Sequence, residues 1–183
     1  MAEPAEPEVL LDAKRFQVVR KYQRTPSGER LARQIIRHPG AVVVLPLLEG
    51  DRVVLIDNYR IAVDEMLLEL PAGTLEPNEA PLETAHRELA EETGYRAGSM
   101  ELLVRFASSP GILSEQMHLF LATGLTAGEM ALEKGEEIRP KIVAWDDALA
   151  MAADGRIRDA KTLVGILFYE TFRRQRGVAG EVG

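Results

Sequence analysis

Cysteine is absent from the 183-residue chain. That removes disulfides, thiolate metal sites and cysteine nucleophiles from consideration, and it fits a reducing compartment. Histidine is scarce: His38, His86 and His118 are scattered, without the spacing of a ligand set, so zinc is not expected. Long hydrophobic runs are missing too. Stretches such as Ala41–Leu48 fall far short of the roughly 18–20 apolar residues that span a bilayer, so no membrane partner is expected. Nor is there a basic run: 22 Lys and Arg stand against 29 Asp and Glu, a formal charge of −7. This balance disfavours nucleic acid as a partner and suits a protein that concentrates divalent cations. The opening residues, MAEPAEPEVLLDAKRF, have neither a basic start nor an apolar core and are not expected to be a signal peptide. What is left is a soluble, cytoplasmic globular chain whose length fits one domain and buries about 70% of its extended surface.

Turn chemistry divides the chain. Residues 1–10 read as a flexible leader and 176–183 as a flexible tail. Residues 11–38 read as an N-terminal β-hairpin arm, with strands at 16–24 and 31–37 around Thr25-Pro26-Ser27-Gly28-Glu29. Residues 39–175 form the main domain. Its strongest hairpin signal joins Ala41–Leu48 to 52–56 through Glu49-Gly50-Asp51. Further strands are expected at 66–70, 101–106, 117–123 and 141–145. Closing helices are expected at 146–153, with Asp146 as a cap, and at 161–174. Trp145, at the end of an apolar strand, is expected to pack. The fold class is α/β, more narrowly α+β: a mixed sheet sandwiched by helices, preceded by a β-hairpin arm.

The most informative stretch, 73–95, reads GTLEPNEAPLETAHRELAEETGY. Asn78 suits an N-cap, Pro81 is tolerated in a first turn, and Gly94 suits the residue that closes a helix. Leu82, Ala85 and Leu89 recur at helical spacing and make one apolar stripe. At about 100° per residue, with Leu82 at zero, the stripe spans about −60° to 0°, whereas Glu88, Glu91 and Glu92 fall between about 180° and 280°. Like charges so placed repel one another and destabilise a helix unless something neutralises them. A Glu-rich face is often simply solvated. Grouped hard oxygen ligands, however, also suit Mg²⁺, with Mn²⁺ as a substitute. Arg87, on the flank of this face, is placed to orient a carboxylate through a bidentate pair.

The order of residues adds to that reading. Gly73, Glu79, Arg87-Glu88-Leu89, Glu91-Glu92 and Gly94 followed by Tyr95 resemble the Nudix box in full. Tyr95 departs from the aliphatic residue more usual in the family, which bears on packing at the helix exit. The resemblance implies the Nudix α/β/α sandwich and divalent-metal-dependent hydrolysis of a nucleoside diphosphate linked to another moiety. It implies Glu88 and Glu92 as main metal ligands, Glu91 as a further or alternative one, and the Ala72 carbonyl as a ligand from the loop. Gly73 would permit close approach of the chain, and Glu79 and Arg87 would support the box.

Four other stretches are similar to the ADP-ribose pyrophosphatase (ADP-sugar diphosphatase) branch: Asn58-Tyr59-Arg60, Leu68-Glu69-Leu70-Pro71-Ala72-Gly73, Ser109-Pro110-Gly111 and Ile157-Arg158-Asp159-Ala160-Lys161-Thr162. Pro110 stands sixteen residues past Gly94, as a proline does in that branch. The similarity implies hydrolysis of ADP-ribose or a similar nucleoside diphosphate sugar to AMP and ribose 5-phosphate. It also implies a homodimer through the N-terminal arm, with Phe16 or Tyr22 near the adenine. Activating water requires a general base. Glu115, in a loop after a strand, is the first candidate, with Glu137, Glu136 and Glu91 as alternatives. Arg60, Gly111 and Glu115 are candidate substrate contacts, and Glu69 a candidate extra metal ligand. Ser108, Ser109 and Ser114 lack a His/Asp partner set and are expected to be loop residues. The competing readings are another substrate, such as GDP-mannose, another nucleotide sugar or a nucleoside triphosphate, or a non-catalytic ligand-binding module.

Overall fold

The computed structural model describes residues 7–132 and 137–174. The first six residues of the expected leader, the tail at 176–183 and Glu136 lie outside the described residues.

The N-terminal sheet has three antiparallel strands in the order β1 (Glu8–Asp12), β2 (Gln17–Arg24), β3 (Arg30–Arg37). The expected hairpin is its β2–β3 part, in register from Gln17↔Arg37 to Arg24↔Arg30. Gly28 adopts φ +89° at the turn, a conformation that favours glycine. Strand β1 was not anticipated, and it begins inside the segment expected to be a leader. The Arg20–Glu8 ion pair (2.7 Å) and the Gln17–Asp12 hydrogen bond (2.9 Å) tie it to β2.

The main sheet contains β4 (Ala41–Leu48), β5 (Arg52–Arg60), β6 (Glu65–Glu69), β7 (Ala72–Thr74), β9 (Ser99–Ala107), β10 (Gln116–Thr123) and β12 (Ile138–Ala144). Its order is β12-β5-β4-β10-β9, with β6 beside β5 and β7 beside β4. Short strands β8 (Tyr95–Arg96) and β11 (Thr126–Ala127) pair separately. β4 and β10 run parallel while the other pairs are antiparallel, so the sheet is mixed as expected.

The unbroken apolar run of β4 follows from burial on both faces. Val43 and Leu45 join Leu55, Leu119, Trp145 and Ile166 in one core, beneath α2 (Trp145–Ala153) and α3 (Ala160–Tyr169). Val42 and Val44 join Ala85, Leu89 and Phe120 in the other, beneath α1 (Pro81–Thr93). Each fully buried aliphatic side chain contributes about 1.5–3 kcal/mol.

The sheet forks in a way that positions the site. β4 and β5 pair only at Leu47↔Val53 and Leu48↔Arg52 and then separate. The segment from β6 to β7 fills the opening: β6 pairs with β5 through Ile56↔Glu69 to Arg60↔Glu65, and β7 pairs with β4 through Ala41↔Thr74 to Val43↔Ala72. Val44 N–H donates to the Pro71 carbonyl at 2.9 Å, closing the crossover.

Several local expectations are corrected. The N-cap of α1 is Ala80, not Asn78, which instead turns the chain with φ +66°. Ala80 has no side-chain acceptor, so the start of α1 relies on Glu83 accepting the Ala80 N–H at 3.2 Å and on Pro81 in the first turn. Leu82 is half exposed, because it lies in that first turn, outside the stripe completed by Thr84, Ala85, Leu89 and Thr93. α2 starts at Trp145 after Ala144, so Asp146 lies inside the first turn, where it suits the helix dipole without capping. The closing helix ends at Tyr169 and continues as a π-helical turn, Glu170–Arg174. There Glu170 accepts hydrogen bonds from the buried Trp145 Nε1 (2.7 Å) and from Arg174 (3.0 Å). Trp145 packs edge-on against Tyr169, with centroids 5.1 Å apart.

Candidate active site

The box helix turns its acidic face not to open solvent but toward β7 and its flanking loops. Glu92 is 4% exposed and accepts the Ala72 N–H at 2.9 Å, so the last acidic residue of the helix is bonded to the backbone where the loop enters β7. Gly73 explains the close approach at the next residue. A Cβ there would overlap the Glu88 carboxyl carbon and stand 2.5 Å from its Oε2. The loop is thus shaped to receive a carboxylate against bare backbone.

Arg87 organises the remaining acids. Its Nε and Nη2 form a two-pronged pair with Glu79 (2.9 and 3.0 Å), and its Nη1 donates to Glu88 (2.7 Å) and Glu91 (2.9 Å). One guanidinium therefore offsets the repulsion among three carboxylates. Its hydrogen bonds hold the Glu79 carboxyl down at about 2, and the same carboxylates raise the Arg87 pKa, Glu79 most. Among the described residues, no three His, Asp or Glu side chains form a ready-made ion cage. Arg87 takes up oxygens of Glu88 and Glu91, and Glu92 turns one to Ala72. The donor set is nonetheless made of hard oxygens, and the Gly73 cradle holds the Glu88 carboxylate against bare backbone. Both features fit a divalent cation of the Mg²⁺ type.

Behind this patch lies a charged cluster that sequence reasoning did not anticipate. Glu69 is fully buried. Its two oxygens accept Arg60 Nε (2.8 Å) and Nη2 (2.6 Å), and Lys161 Nζ reaches Oε2 at 2.5 Å. Glu69 is therefore the anion of an ion-pair cluster. The Glu69 hydrogen bond is the leading reason the Arg60 pKa is raised, with further contributions from Glu92 and Asp159. The signal that could have located the cluster was present: a charged residue, Glu69, inside an apolar strand requires a buried cation.

Glu115 sits apart from the Arg87 cluster, on the loop between β9 and β10. Ser108 donates to its Oε2 at 2.6 Å, and His38 Nδ1 lies 3.4 Å from Oε1. The Gly40 N–H lies 3.2 Å from the same Nδ1. Ser114 accepts the His38 N–H at 3.1 Å. The loop is also fastened to the arm: Ile36 N–H donates to Ile112 O (2.8 Å) and Ser114 N–H to Ile36 O (2.9 Å). Sheet register carries this loop to the end of β4 where the box loop lies, since Met117 and Thr74 both align with Ala41. The two meet at Gly40 (φ +107°), whose Cβ would stand 3.1 Å from both Gln116 O and Leu75 Cδ1.

Of the other candidates, Gly111 is exposed with open space around it. Glu137, exposed ahead of β12, raises the pKa of the Tyr59 hydroxyl in a small way, after the hydrogen bond to Asp64 and desolvation. Tyr22 is half exposed beneath Arg30, whose guanidinium carbon lies 4.2 Å from the ring centre, and Phe16 is partly exposed.

The site thus lies where a glycine loop, set in the fork of a mixed sheet covered on both faces by helices, meets a carboxylate-bearing helix. A model of the NUDIX domain matches residues 37–164, and the chain belongs to that family. It is 36% identical to an ADP-ribose pyrophosphatase of Bacillus subtilis (strain 168) over 147 residues, covering 79% of this chain and 80% of the relative. It is 40% identical, with the same coverage, to a methanol dehydrogenase activator of Bacillus methanolicus. A crystal structure of an ADP compounds hydrolase superposes with a TM-score of 0.82 at 19% identity, covering 96% of this chain and 95% of that one, and so shares the fold.

Proposed function

We propose that the protein hydrolyses the pyrophosphate of ADP-ribose, or of a similar nucleoside diphosphate sugar, to AMP and ribose 5-phosphate. The observation that carries this reading is Glu92 bonded to the Ala72 N–H and Glu88 seated against Gly73, with Arg87 holding Glu88 and Glu91 on one guanidinium. Those carboxylates and the Ala72 carbonyl would hold Mg²⁺ or Mn²⁺. Bound there, the ion neutralises pyrophosphate oxygens that otherwise repel an incoming hydroxide.

The chain's own groups do the rest. Arg60 offers a guanidinium whose side chain is 40% exposed and is fixed from behind by Glu69, suited to a phosphate oxygen. Glu115, oriented by Ser108, takes the proton from the attacking water; Glu137 is the alternative base and Gly111 a backbone contact to substrate. Arg87, with its two-pronged grip on Glu79, would leave Glu88 and Glu91 available to the ion. The N-terminal sheet, with Val9, Leu11 and Tyr22 about half exposed, serves as the arm of a homodimer. None of the described helices is long and apolar enough to cross a membrane, and the protein is proposed to work in the cytoplasm.

Incubation with ADP-ribose and Mg²⁺, reading AMP and ribose 5-phosphate, tests the proposal. Absence of both products, or turnover that survives metal chelation, overturns it. GDP-mannose is the second substrate to include, since a GDP-mannose pyrophosphatase of Yersinia enterocolitica is 36% identical over 137 residues, covering 70% of this chain.

A further inference from the structure

The cluster behind Arg60 joins two segments far apart in sequence. Lys161 Nζ, already bound to Glu69, lies 2.9 Å from Asp159. Asp159 caps α3, its Oδ2 accepting both the N–H (3.0 Å) and the hydroxyl (2.6 Å) of Thr162. The same Thr162 oxygen accepts the Leu70 N–H at 2.8 Å. The N-terminus of α3 thus grips Glu69 and Leu70, immediately ahead of Ala72 and Gly73. Two cations and two anions balance within a site where Glu69 and Thr162 are fully buried. A buried carboxylate without such partners would be strongly unfavourable.

Arg60 emerges from this cluster half-committed. Nε and Nη2 are spent on Glu69, whereas Nη1 has no hydrogen-bond partner among the described residues. Lys161 shares Oε2 of Glu69 with Arg60 Nη2, so it fixes the carboxylate plane on which the guanidinium fork is seated.

We propose that Lys161 is a positioning residue for the pyrophosphate site. Held by Asp159, it locks Glu69, and through Glu69 it presents Nη1 of Arg60 to a phosphate oxygen of the substrate. The idea deepens the proposed function and rests on Arg60 as a phosphate contact. Lys161 itself does not touch the substrate. Its effect is preorganisation, which lowers the cost of ordering a long side chain on binding.

The test compares Lys161→Met, Lys161→Arg and Arg60→Gln for KM and kcat with ADP-ribose and Mg²⁺, for the Kd of ADP-ribose by calorimetry on metal-free protein, for Mn²⁺ affinity and for Tm. Lys161→Met is expected to raise KM and Kd by about tenfold or more, with kcat and Mn²⁺ affinity within about threefold of the parent. Lys161→Arg, which keeps the charge, should restore most of the loss. A purely structural lysine would instead lower Tm and leave KM unmoved in the folded fraction. Should Lys161→Met not fold, Asp159→Asn, which retains an oxygen to cap Thr162, is expected to shift KM in the same direction by a smaller factor. An Arg60→Gln variant with unchanged KM and Kd sinks the reading of Arg60. A raised KM in Arg60→Gln beside an unchanged KM in Lys161→Met, or in Asp159→Asn if that is the variant that folds, overturns the positioning role alone.

Discussion

Replacing Gly73 by alanine separates stability from chemistry. No left-handed backbone angle protects this glycine, so alanine fits the main chain. What it meets is the Glu88 carboxylate: the added methyl overlaps the carboxyl carbon and lies 2.5 Å from Oε2, where ordinary contact begins at 3.4 Å. Glu88 must therefore swing by about 1 Å or more, a displacement that can cost about a hundredfold in rate when the group is part of a catalytic constellation. The stability terms nearly cancel. Weakening a partly exposed Arg87–Glu88 pair costs about 0.5–1 kcal/mol, and replacing glycine recovers about 0.4–1 kcal/mol through the unfolded chain. At about 2–4 °C per kcal/mol for a chain of this size, Tm should stay within about 3 °C. Steady-state kinetics with ADP-ribose and Mg²⁺, beside a thermal melt, decide the matter. A variant that keeps parental kcat refutes the placement of the Glu88 carboxylate in the machinery. A collapse in Tm shows instead that the contact is structural.

Three further outcomes follow from the same geometry. Glu92→Gln retains an oxygen for the Ala72 N–H, so it should fold normally while turnover falls by at least about a hundredfold, more than substrate affinity; near-normal kinetics would remove its role as a ligand. Glu115→Gln should slow turnover with Mn²⁺ affinity, read by titration, unchanged; undiminished turnover would move the base to Glu137 or Glu136. For Glu79, whose carboxyl is held at about 2 against an ordinary 4.5, the sign is fixed by linkage. A depressed native pKa contributes stability above about pH 4.5 that is lost as pH falls toward about 2. The unscreened contribution is about 3 kcal/mol at ~1.36 kcal/mol per pH unit, which solvent around this surface pair reduces to about 1 kcal/mol. Glu79→Gln should therefore melt about 2–4 °C lower at pH 7, and the gap should close between pH 5 and about pH 2.

The sequence was most legible where one physical requirement dominates. Ala41–Leu48 needed apolar residues on both faces and matched its strand end to end. The spacing of the box placed Glu88, Glu91 and Glu92 on one side of a helix. Boundaries set by tertiary contact were harder. Asn78 has the chemistry of a cap, yet the chain needed it for a left-handed turn, and α1 began two residues later than it would have implied. Leu82 fits the stripe by angle but lies in the first turn and is half exposed. Glu69 looked like one more acid among ligands, and only the fold brings Lys161, ninety-two residues away, onto it. β1 was missed because Glu8–Asp12 is exposed along its whole length and carries no inward-facing pattern to read.

The forked sheet limits how such a site can vary. β6 and β7 are each zipped to a different strand, so Leu70 and Pro71 act as a tether of fixed length between two anchors. Inserting or deleting one residue here would flip every following side chain to the opposite face. Ala72 and Gly73 would then be withdrawn from Glu92 and Glu88. The turn at 60–65 bears no such constraint. Natural variation in loop length should therefore gather at that tip and be excluded from the span between Glu69 and Ala72.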